Sequence, residues 1–202
     1  MREMSEHVVT KIREYTEELI HRNRGKKMKI YDDVLGGQFL DYINFSMVRL
    51  KWELHSSTTD PKTPLFFTSV VLDKNERKPE FEYLFRLVTS TAINDLQTST
   101  GKKYNVELEK GYVNLYPFGV GGDWHIDSRS TDGKTILFYP SDWKEEYEGA
   151  TEFQSGEKVE YRKNRLLVFD GNVPHRCAIH HNPKNRYTIA FKIFTKQVPV
   201  KE

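Results

Sequence analysis

The sequence predicts a mainly β fold with supporting helices (α+β), in which an all-β barrel or sandwich follows a more helical first half. After Gly101, about eight short runs with strand character occur within about 95 residues, separated by Gly, Asp, Asn and Pro turns. Before Gly101, apolar residues recur at helical spacing. The chain has 202 residues, of which 37% are hydrophobic and 30% charged, which fits one soluble globular domain of ordinary size.

Residues 1–27 are predicted to form a separate N-terminal element. Four apolar residues fall on one face of a predicted helix: Val8, Ile12, Tyr15 and Leu19. Gly25 ends this helix within a basic stretch, HRNRGKKMK, which we interpret as a solvated linker. The N-terminus is too acidic for a signal peptide, and no apolar run approaches the roughly 18–20 residues that span a bilayer. We therefore expect a cytoplasmic protein without a membrane partner.

The main domain is predicted to cover residues 28–202, and its first part mixes strands with two helices. MKIYDDVL reads as a short strand, and KWELHSS and LFFTSVVL read as strands joined by the polar loop STTDPKTP. The first helix carries its apolar residues at Phe39, Ile43, Met47 and Leu50. The second ends near Gly101 and carries Phe81, Leu84, Phe85, Val88 and Ala92 on one face.

Strands are predicted to dominate the chain after Gly101. The candidates are YNVELEKGYVNLYPF, DWHIDS, KTILFYP, ATEFQS, KVEY, RLLVFD, HRCAIHH and NRYTIAFKIF. The last of these has two different faces, because strand side chains alternate. One face is an apolar wall suited to packing on helices, formed by Tyr187, Ile189, Phe191 and Ile193. The other face carries Arg186 followed by the small residues Thr188 and Ala190, which predicts a narrow pocket closed by one charge.

A metal site is predicted from the segment WHIDS. His125 and Asp127 are two residues apart in a predicted strand, so they point the same way. His175 opens another predicted strand 48 residues after Asp127 and offers a third ligand. Two histidines and one carboxylate leave three open positions in an octahedral Fe(II) sphere, as O₂ activation by a 2-oxo acid requires.

Two other histidines are alternatives to His175 as the third metal ligand, whereas cysteine ligands are excluded. His180 and His181 lie at the far end of the strand that His175 begins, next to the turn NPKN, and both remain alternatives. The single cysteine, Cys177, excludes an internal disulfide and a thiolate cluster. Arg186 would suit a carboxylate ligand because its planar fork can bind both carboxylate oxygens.

Taken together, these segments resemble the 2-oxoglutarate/Fe(II)-dependent oxygenase superfamily and, within it, the prolyl 4-hydroxylase-like group. The matching pieces span about residues 104–195 and are YPFGVGGDWHID, TILFYPSDW, EGATEF, NRLLVFDG, VPHR and NRYTIAFK. Two features depart from the pattern: Gly149–Ala150 replaces a glycine pair, and many collagen-type relatives carry Lys where Arg186 stands.

The resemblance implies a double-stranded β-helix (jelly-roll) core over about residues 104–195. It implies that the metal ligands, which are also the catalytic residues, are His125, Asp127 and His175. It also implies that Arg186 binds the distal carboxylate of 2-oxoglutarate, beside Thr188. Tyr116 matches a tyrosine that lines the co-substrate pocket, and Tyr139 matches one that hydrogen-bonds the same carboxylate.

The activity implied is hydroxylation of a prolyl residue in a peptide or protein, with Fe(II), 2-oxoglutarate and O₂, release of succinate and CO₂, and ascorbate as reductant. The loops SSTTDPKTPLFF and SRSTDGK are candidate lids. One alternative is a nucleic-acid dealkylase, for which Lys192 would be the second basic residue. A formal charge of +2 is too close to neutral to argue by itself for a nucleic-acid partner. The other alternative is a non-catalytic jelly-roll binding module. The oligomeric state is not predicted.

Overall fold

The computed structural model describes residues 28–55 and 65–199. The predicted N-terminal helix and most of the first candidate lid lie outside these residues. The described strands are β1 (Met28–Tyr31), β2 (Glu53–His55), β3 (Phe66–Leu72), β4 (Tyr104–Tyr116), β5 (Gly133–Tyr139), β6 (Thr151–Phe153), β7 (Lys158–Val159), β8 (Arg165–Asp170), β9 (His175–Cys177) and β10 (Arg186–Gln197). The helices are α1 (Gly37–Met47), α2 (Pro79–Thr100) and a 3₁₀ turn at Glu145–Tyr147.

The strands form two antiparallel sheets. The larger sheet has seven strands in the order β1-β8-β5-β10-β4-β3-β2, and the smaller has three in the order β7-β6-β9. Neighbours in both sheets pair antiparallel. The predicted mainly β fold with supporting helices is therefore confirmed, and the sheets form a sandwich that does not close into a barrel.

The helices cover the outer face of the larger sheet. Ile189, Phe191 and Ile193 of β10 are buried in one cluster with Phe81, Leu84 and Val88 of α2, and Ile43 and Met47 of α1 belong to the same cluster. This confirms the apolar wall predicted for β10. Helix α2 begins with Pro79, where a missing N–H costs nothing, and ends at Gly101 in the left-handed conformation with φ 68°.

The inner face of the larger sheet meets the smaller sheet in a second core. This core contains Leu137, Leu167 and Phe169 from the larger sheet, with Phe153 and Val159 from the smaller one. The register of β10 sets Arg186 opposite Tyr116, Thr188 opposite Asn114, and Lys192 opposite Thr135. This register places the inward side chains of β4, β10 and β5 along one surface, at the edge of the second core.

Of the predicted strands, one is absent and one is shorter than expected. DWHIDS does not form a strand: it pairs with the smaller sheet only through an isolated bridge between His125 and His175. The chain turns away after this bridge, because the amides of Asp127 and Ser128 both donate to the single carbonyl of Gly171, at 2.8 and 2.9 Å. HRCAIHH is regular only over β9, and a second isolated bridge joins His180 to Glu148. None of the helices in the described part of the chain has the length and apolar composition required to cross a membrane.

Candidate active site

Backbone pairing brings the first and third predicted metal ligands together. The amide of His125 donates to the carbonyl of His175 at 3.1 Å, and the amide of His175 donates back at 3.0 Å. Residues paired in this way project their side chains on the same side of the backbone pair. The two imidazole centroids are 4.4 Å apart, and Asp127, two residues further on, faces the same space.

The three predicted ligands have the geometry of a metal centre. One ligand atom from each of His125, Asp127 and His175 lies within 4.8 Å of the others. Nε2 of His125 is 3.9 Å from Oδ1 of Asp127, and Nε2 of His175 is 3.5 Å from Oδ2. Within residues 28–55 and 65–199, no second group of three or more His, Cys, Asp or Glu side chains comes as close together.

Main-chain carbonyls orient both imidazoles for metal binding. Nδ1 of His125 donates to the carbonyl of Asp123 at 2.8 Å, and Nδ1 of His175 donates to the carbonyl of Val173 at 3.0 Å. A carbonyl can only accept, so each ring carries its proton on Nδ1 and presents a lone pair on Nε2. Burial lowers the pKa of His175, and although Asp127 opposes this, the net shift keeps the imidazole neutral and able to bind a metal.

The carboxylate of Asp127 is buried but remains ionised. Burial raises its pKa, yet His175, Lys192 and the hydroxyl of Thr135 together outweigh burial and hold the pKa below its ordinary value. Thr135 Oγ1 donates to Oδ2 at 2.7 Å, and Lys192 Nζ lies 3.0 Å from Oδ1. The site therefore offers one carboxylate and two imidazoles, a donor set that fits Fe(II).

The two competing histidines lie away from this group. His180 is fully buried, its Nε2 donates to the carbonyl of Tyr116 at 3.0 Å, and its ring packs on Trp143. His181 is exposed, and its Nε2 lies 3.2 Å from a carboxylate oxygen of Glu148. The structure thus places His175, and neither His180 nor His181, beside His125 and Asp127.

Arg186 is buried with one N–H group left unpaired. The residue is 1% exposed, and its Nε donates to the carbonyl of Gly149 at 2.9 Å. The guanidinium carbon lies 5.0 Å from the ring centre of Tyr161 and 5.6 Å from that of Tyr116. No group in the described part of the chain accepts a hydrogen bond from Nη1. A buried cation with an orphaned donor fits an anionic acceptor that enters from outside, and a carboxylate suits its forked geometry.

A single narrow cavity joins Arg186 to the metal ligands. Its wall is formed by Tyr112, Asn114, Tyr116, His125, Asp127, Leu137, Thr151, His175, Arg176, Cys177, Arg186 and Thr188. Tyr116 and Thr188 thus line the same cavity as Arg186 and the three predicted ligands. Burial raises the pKa of the Tyr116 hydroxyl, with Arg186 opposing, so the hydroxyl keeps its proton and can donate to a ligand. Tyr139 does not line the cavity; its hydroxyl shares a 2.7 Å hydrogen bond with Thr151, which does.

Sequence reasoning missed two wall residues and the position of a third residue near the site. Tyr112 and Asn114 lie at two-residue spacing before Tyr116 on β4. Lys192, which was considered only for the dealkylase alternative, continues the Arg186 face of β10. The same alternation that predicted the pocket would have found them had it been extended along both strands. Gly149 was also missed: its φ of 76° favours glycine, and a Cβ there would lie 2.8 Å from Cβ of His180.

Comparison with known proteins gives a match in fold alone. No protein-family model matches the chain, and no curated protein matches it in sequence. A prolyl hydroxylase from Trichoplax adhaerens, solved with a hypoxia inducible factor peptide fragment, superposes with a TM-score of 0.70 at 18% identity, over 95% of this chain and 94% of that one. A prolyl-4-hydroxylase from Pseudomonas putida gives a TM-score of 0.66 at 13% identity, over 90% and 99% of the two chains.

A third structure with this fold contains both a metal and 2-oxoglutarate. HygX from Streptomyces hygroscopicus, solved with nickel, 2-oxoglutarate and hygromycin B bound, gives a TM-score of 0.64 at 13% identity, over 88% of this chain and 86% of that one. The chain therefore has the double-stranded β-helix fold of the 2-oxoglutarate/Fe(II) oxygenases, prolyl hydroxylases among them. The jelly-roll core predicted from the sequence is confirmed.

Proposed function

We propose that this chain is an Fe(II)- and 2-oxoglutarate-dependent dioxygenase that hydroxylates a prolyl residue in a peptide or protein. One observation carries the proposal: the same cavity contains the His125, Asp127 and His175 group and the buried Arg186 with its unpaired N–H. A jelly-roll that only bound a protein or sugar would have no use for a metal group and a buried cation facing one cavity.

Seven of the wall residues have a role in this proposal. His125, Asp127 and His175 hold Fe(II), and Arg186 binds the distal carboxylate of 2-oxoglutarate while Tyr116 and Thr188 flank it. The bound metal and oxo acid supply the oxidising chemistry, in which O₂ is consumed, succinate and CO₂ are released, and ascorbate restores Fe(II). Leu137 and the buried aromatic residues behind Arg186 exclude water, which strengthens the charge pairing with the co-substrate.

The substrate is proposed to enter on the side of His125. The side chain of His125 is 41% exposed, whereas that of His175 is 5% exposed, so the site opens towards the first ligand. Trp124 and Ile126, on either side of His125, are exposed apolar residues that a peptide could cover. The segment SRSTDGK, residues 128–134, continues directly from Asp127 and is proposed as a lid.

Three sequence features favour a prolyl substrate over a nucleic acid. They are the eleven-residue spacing from His175 to Arg186, the turn EGATEF and the segment YPSDW. The hydroxylase from Trichoplax adhaerens, which was solved with a peptide fragment, supports a peptide substrate. Lys192 stands where a dealkylase would usually carry an Arg as its second basic residue, and here it forms an ion pair with Asp127.

The proposal is tested by incubating the protein with Fe(II), ascorbate and 2-oxoglutarate in three separate assays. One contains proline-rich peptides, one contains methylated oligonucleotides, and one contains hygromycin B, because HygX was solved with that compound bound. We expect succinate release and the mass gain of one oxygen only with peptides, and the His175→Ala variant provides the blank. Demethylated oligonucleotides with unchanged peptides would refute the prolyl substrate. Metal binding without succinate in any assay would indicate the non-catalytic module.

A further inference from the structure

The carboxylate of Asp127 is held by two residues that face each other across neighbouring strands. Thr135 of β5 and Lys192 of β10 are register partners. Thr135 Oγ1 donates to Oδ2 at 2.7 Å, while Lys192 Nζ lies 3.0 Å from Oδ1. One oxygen thus receives a neutral hydrogen bond and the other a full positive charge.

Lys192 is held close to this carboxylate by its surroundings. Its ammonium lies 5.5 Å above the ring of Tyr112, a wall residue of the cavity, and its side chain is 24% exposed. The side chain of Asp127 is only 3% exposed, so the carboxylate has little access to water. Isolated buried carboxylates are strongly disfavoured, and in the described part of the chain Lys192 is the one Lys or Arg within ion-pair distance of Asp127.

The contact between Lys192 and Asp127 is an ion pair and not an aligned hydrogen bond. Lys192 Nζ lies 3.0 Å from Oδ1, and Oδ1 accepts no aligned hydrogen bond from any of the described residues. The two imidazole Nε2 atoms likewise have no partner other than Asp127 among the described ion pairs. The three ligands can therefore remain together before any metal arrives.

We propose that Lys192 is a resident counter-cation that keeps the metal centre assembled in the metal-free protein and that opposes the metal once it binds. The inference rests on the proposed function, because it assumes that this group binds a divalent cation. Lys192 is a positioning residue here, because it acts through its ion pair with Asp127.

A thermodynamic cycle fixes the sign of the effect. Removing the ammonium leaves Asp127 uncompensated in the metal-free protein, which destabilises that state. In the metal-bound protein the divalent ion supplies the charge that compensates Asp127. Substituting Lys192 there also removes the repulsion between its ammonium and the metal. Substituting Lys192 therefore lowers the free energy of unfolding more in the metal-free protein than in the metal-bound protein. The free energy of metal binding to the variant must become more favourable by the same difference.

The experiment compares Lys192→Met with Lys134→Met. Lys134 is a matched control because it lies beside Thr135 on β5, its side chain is also 24% exposed, and it forms an ion pair with Asp170, which is not a metal ligand. Melting temperatures are measured in chelator and in saturating Mn(II), and Mn(II) affinity is measured by calorimetry. For Lys192→Met we expect a lower melting temperature in chelator, recovery in Mn(II), and Mn(II) affinity raised about ten-fold. Lys192→Arg keeps the charge and should resemble the wild type.

Each other outcome has a definite meaning. Equal destabilisation of Lys192→Met in chelator and in Mn(II), unchanged stability in both, or weaker Mn(II) binding would each overturn the counter-cation role. If Lys192→Met folds only when prepared with Mn(II), the role is supported, and insolubility under both conditions would overturn it. Failure of the wild type itself to bind Mn(II) would refute the proposed function, which separates that failure from the failure of this inference.

Discussion

The buried charge of Arg186 determines which class of ligand the cavity can bind. Its guanidinium is buried among three tyrosines and one thiol, Cys177, and it forms no ion pair among the described residues. Burial lowers the pKa of Arg186, but Cys177 and the tyrosines outweigh it, so the side chain remains a cation. A fully charged group with an unused N–H in such surroundings is an incomplete ion pair, and the missing partner must be an anion small enough for a narrow cavity.

Removing this charge should weaken co-substrate binding specifically. A charge-assisted bidentate contact contributes about 1.5–3 kcal/mol, so Arg186→Ala should weaken 2-oxoglutarate binding by roughly ten- to a hundred-fold. Mn(II) affinity should stay within error, because Arg186 contacts none of the three metal ligands. Anaerobic titration of the Mn(II)-loaded protein with 2-oxoglutarate measures both.

Arg176 provides the control for this substitution. It also lines the cavity, but its Nε and Nη2 already donate to Glu152 at 2.9 and 2.7 Å. Arg176→Ala should therefore change 2-oxoglutarate affinity far less than Arg186→Ala does. Equal losses in the two variants would contradict the assignment of Arg186, since general loss of positive charge would then explain both.

For single residues, the sequence identifies candidate functional side chains better than it predicts which side chains contact each other. His125, Asp127, His175 and Arg186 could be found because each has a distinctive residue type at a distinctive position. Lys192 could not be assigned its place beside Asp127, since that contact depends on the register between β5 and β10. Spacing along one strand carries no information about which residue of the neighbouring strand lies opposite.

Strand β10 connects the packing of the molecule to its site. Its outward residues pack on α2, and its inward residues line the cavity, so the position of the strand sets both at once. The pairing of β10 with β4 and β5 holds it in the centre of the larger sheet. Any change that pushes β10 away from its neighbours should therefore reach the site as well as the core.

A glycine on β4 makes this close packing possible. Gly111 lies opposite Phe191, and a Cβ at this position would lie 2.9 Å from a ring carbon of Phe191 and 3.1 Å from Cβ of Leu72. Gly111→Ala should therefore overpack the core and lower the free energy of unfolding by about 1–3 kcal/mol. Gly37, at the start of α1, has no heavy atom within 4 Å of its Cβ position, so Gly37→Ala should be neutral or slightly stabilising. Urea titrations of the two variants measure the difference; equal stabilities would show that Phe191 adapts without cost.

Element types were predictable where periodicity was strong, and boundaries were not. The residues of β8 were predicted without error, and α2 ends at Gly101 as expected, because both lie beside clear turn or cap residues. The segment around His125 failed as a strand because its pairing is limited to one bridge. Regular alternation predicts which way side chains point, and this held for His125 and Asp127, but it does not predict how far the pairing extends.

At the scale of the whole molecule, binding of the metal and of 2-oxoglutarate should raise the stability of the folded protein. The metal ligands come from two chain segments, and Arg186 comes from a third, so a bound metal and co-substrate would tie together parts of both sheets. A ligand that binds only the folded state stabilises it by about 2.7 kcal/mol at a hundred times its dissociation constant. In a domain of this size that amounts to roughly 5–10 °C in melting temperature. The proposed site can therefore be examined without knowing the substrate.

The third metal ligand can be identified from the stability that the protein gains when metal and 2-oxoglutarate bind. Under anaerobic conditions the wild type should gain stability with Mn(II) and gain again when 2-oxoglutarate is added. His175→Ala should lose both increments, because without the third ligand neither the metal nor the chelating co-substrate is held. His181→Ala should keep both, since that exposed side chain contacts Glu148 and lies away from the site. Calorimetric melting curves, with metal content measured on the same samples, give the comparison. If His175→Ala retains stoichiometric metal and both increments, the ligand set is wrong, and the buried His180 becomes the next residue to substitute.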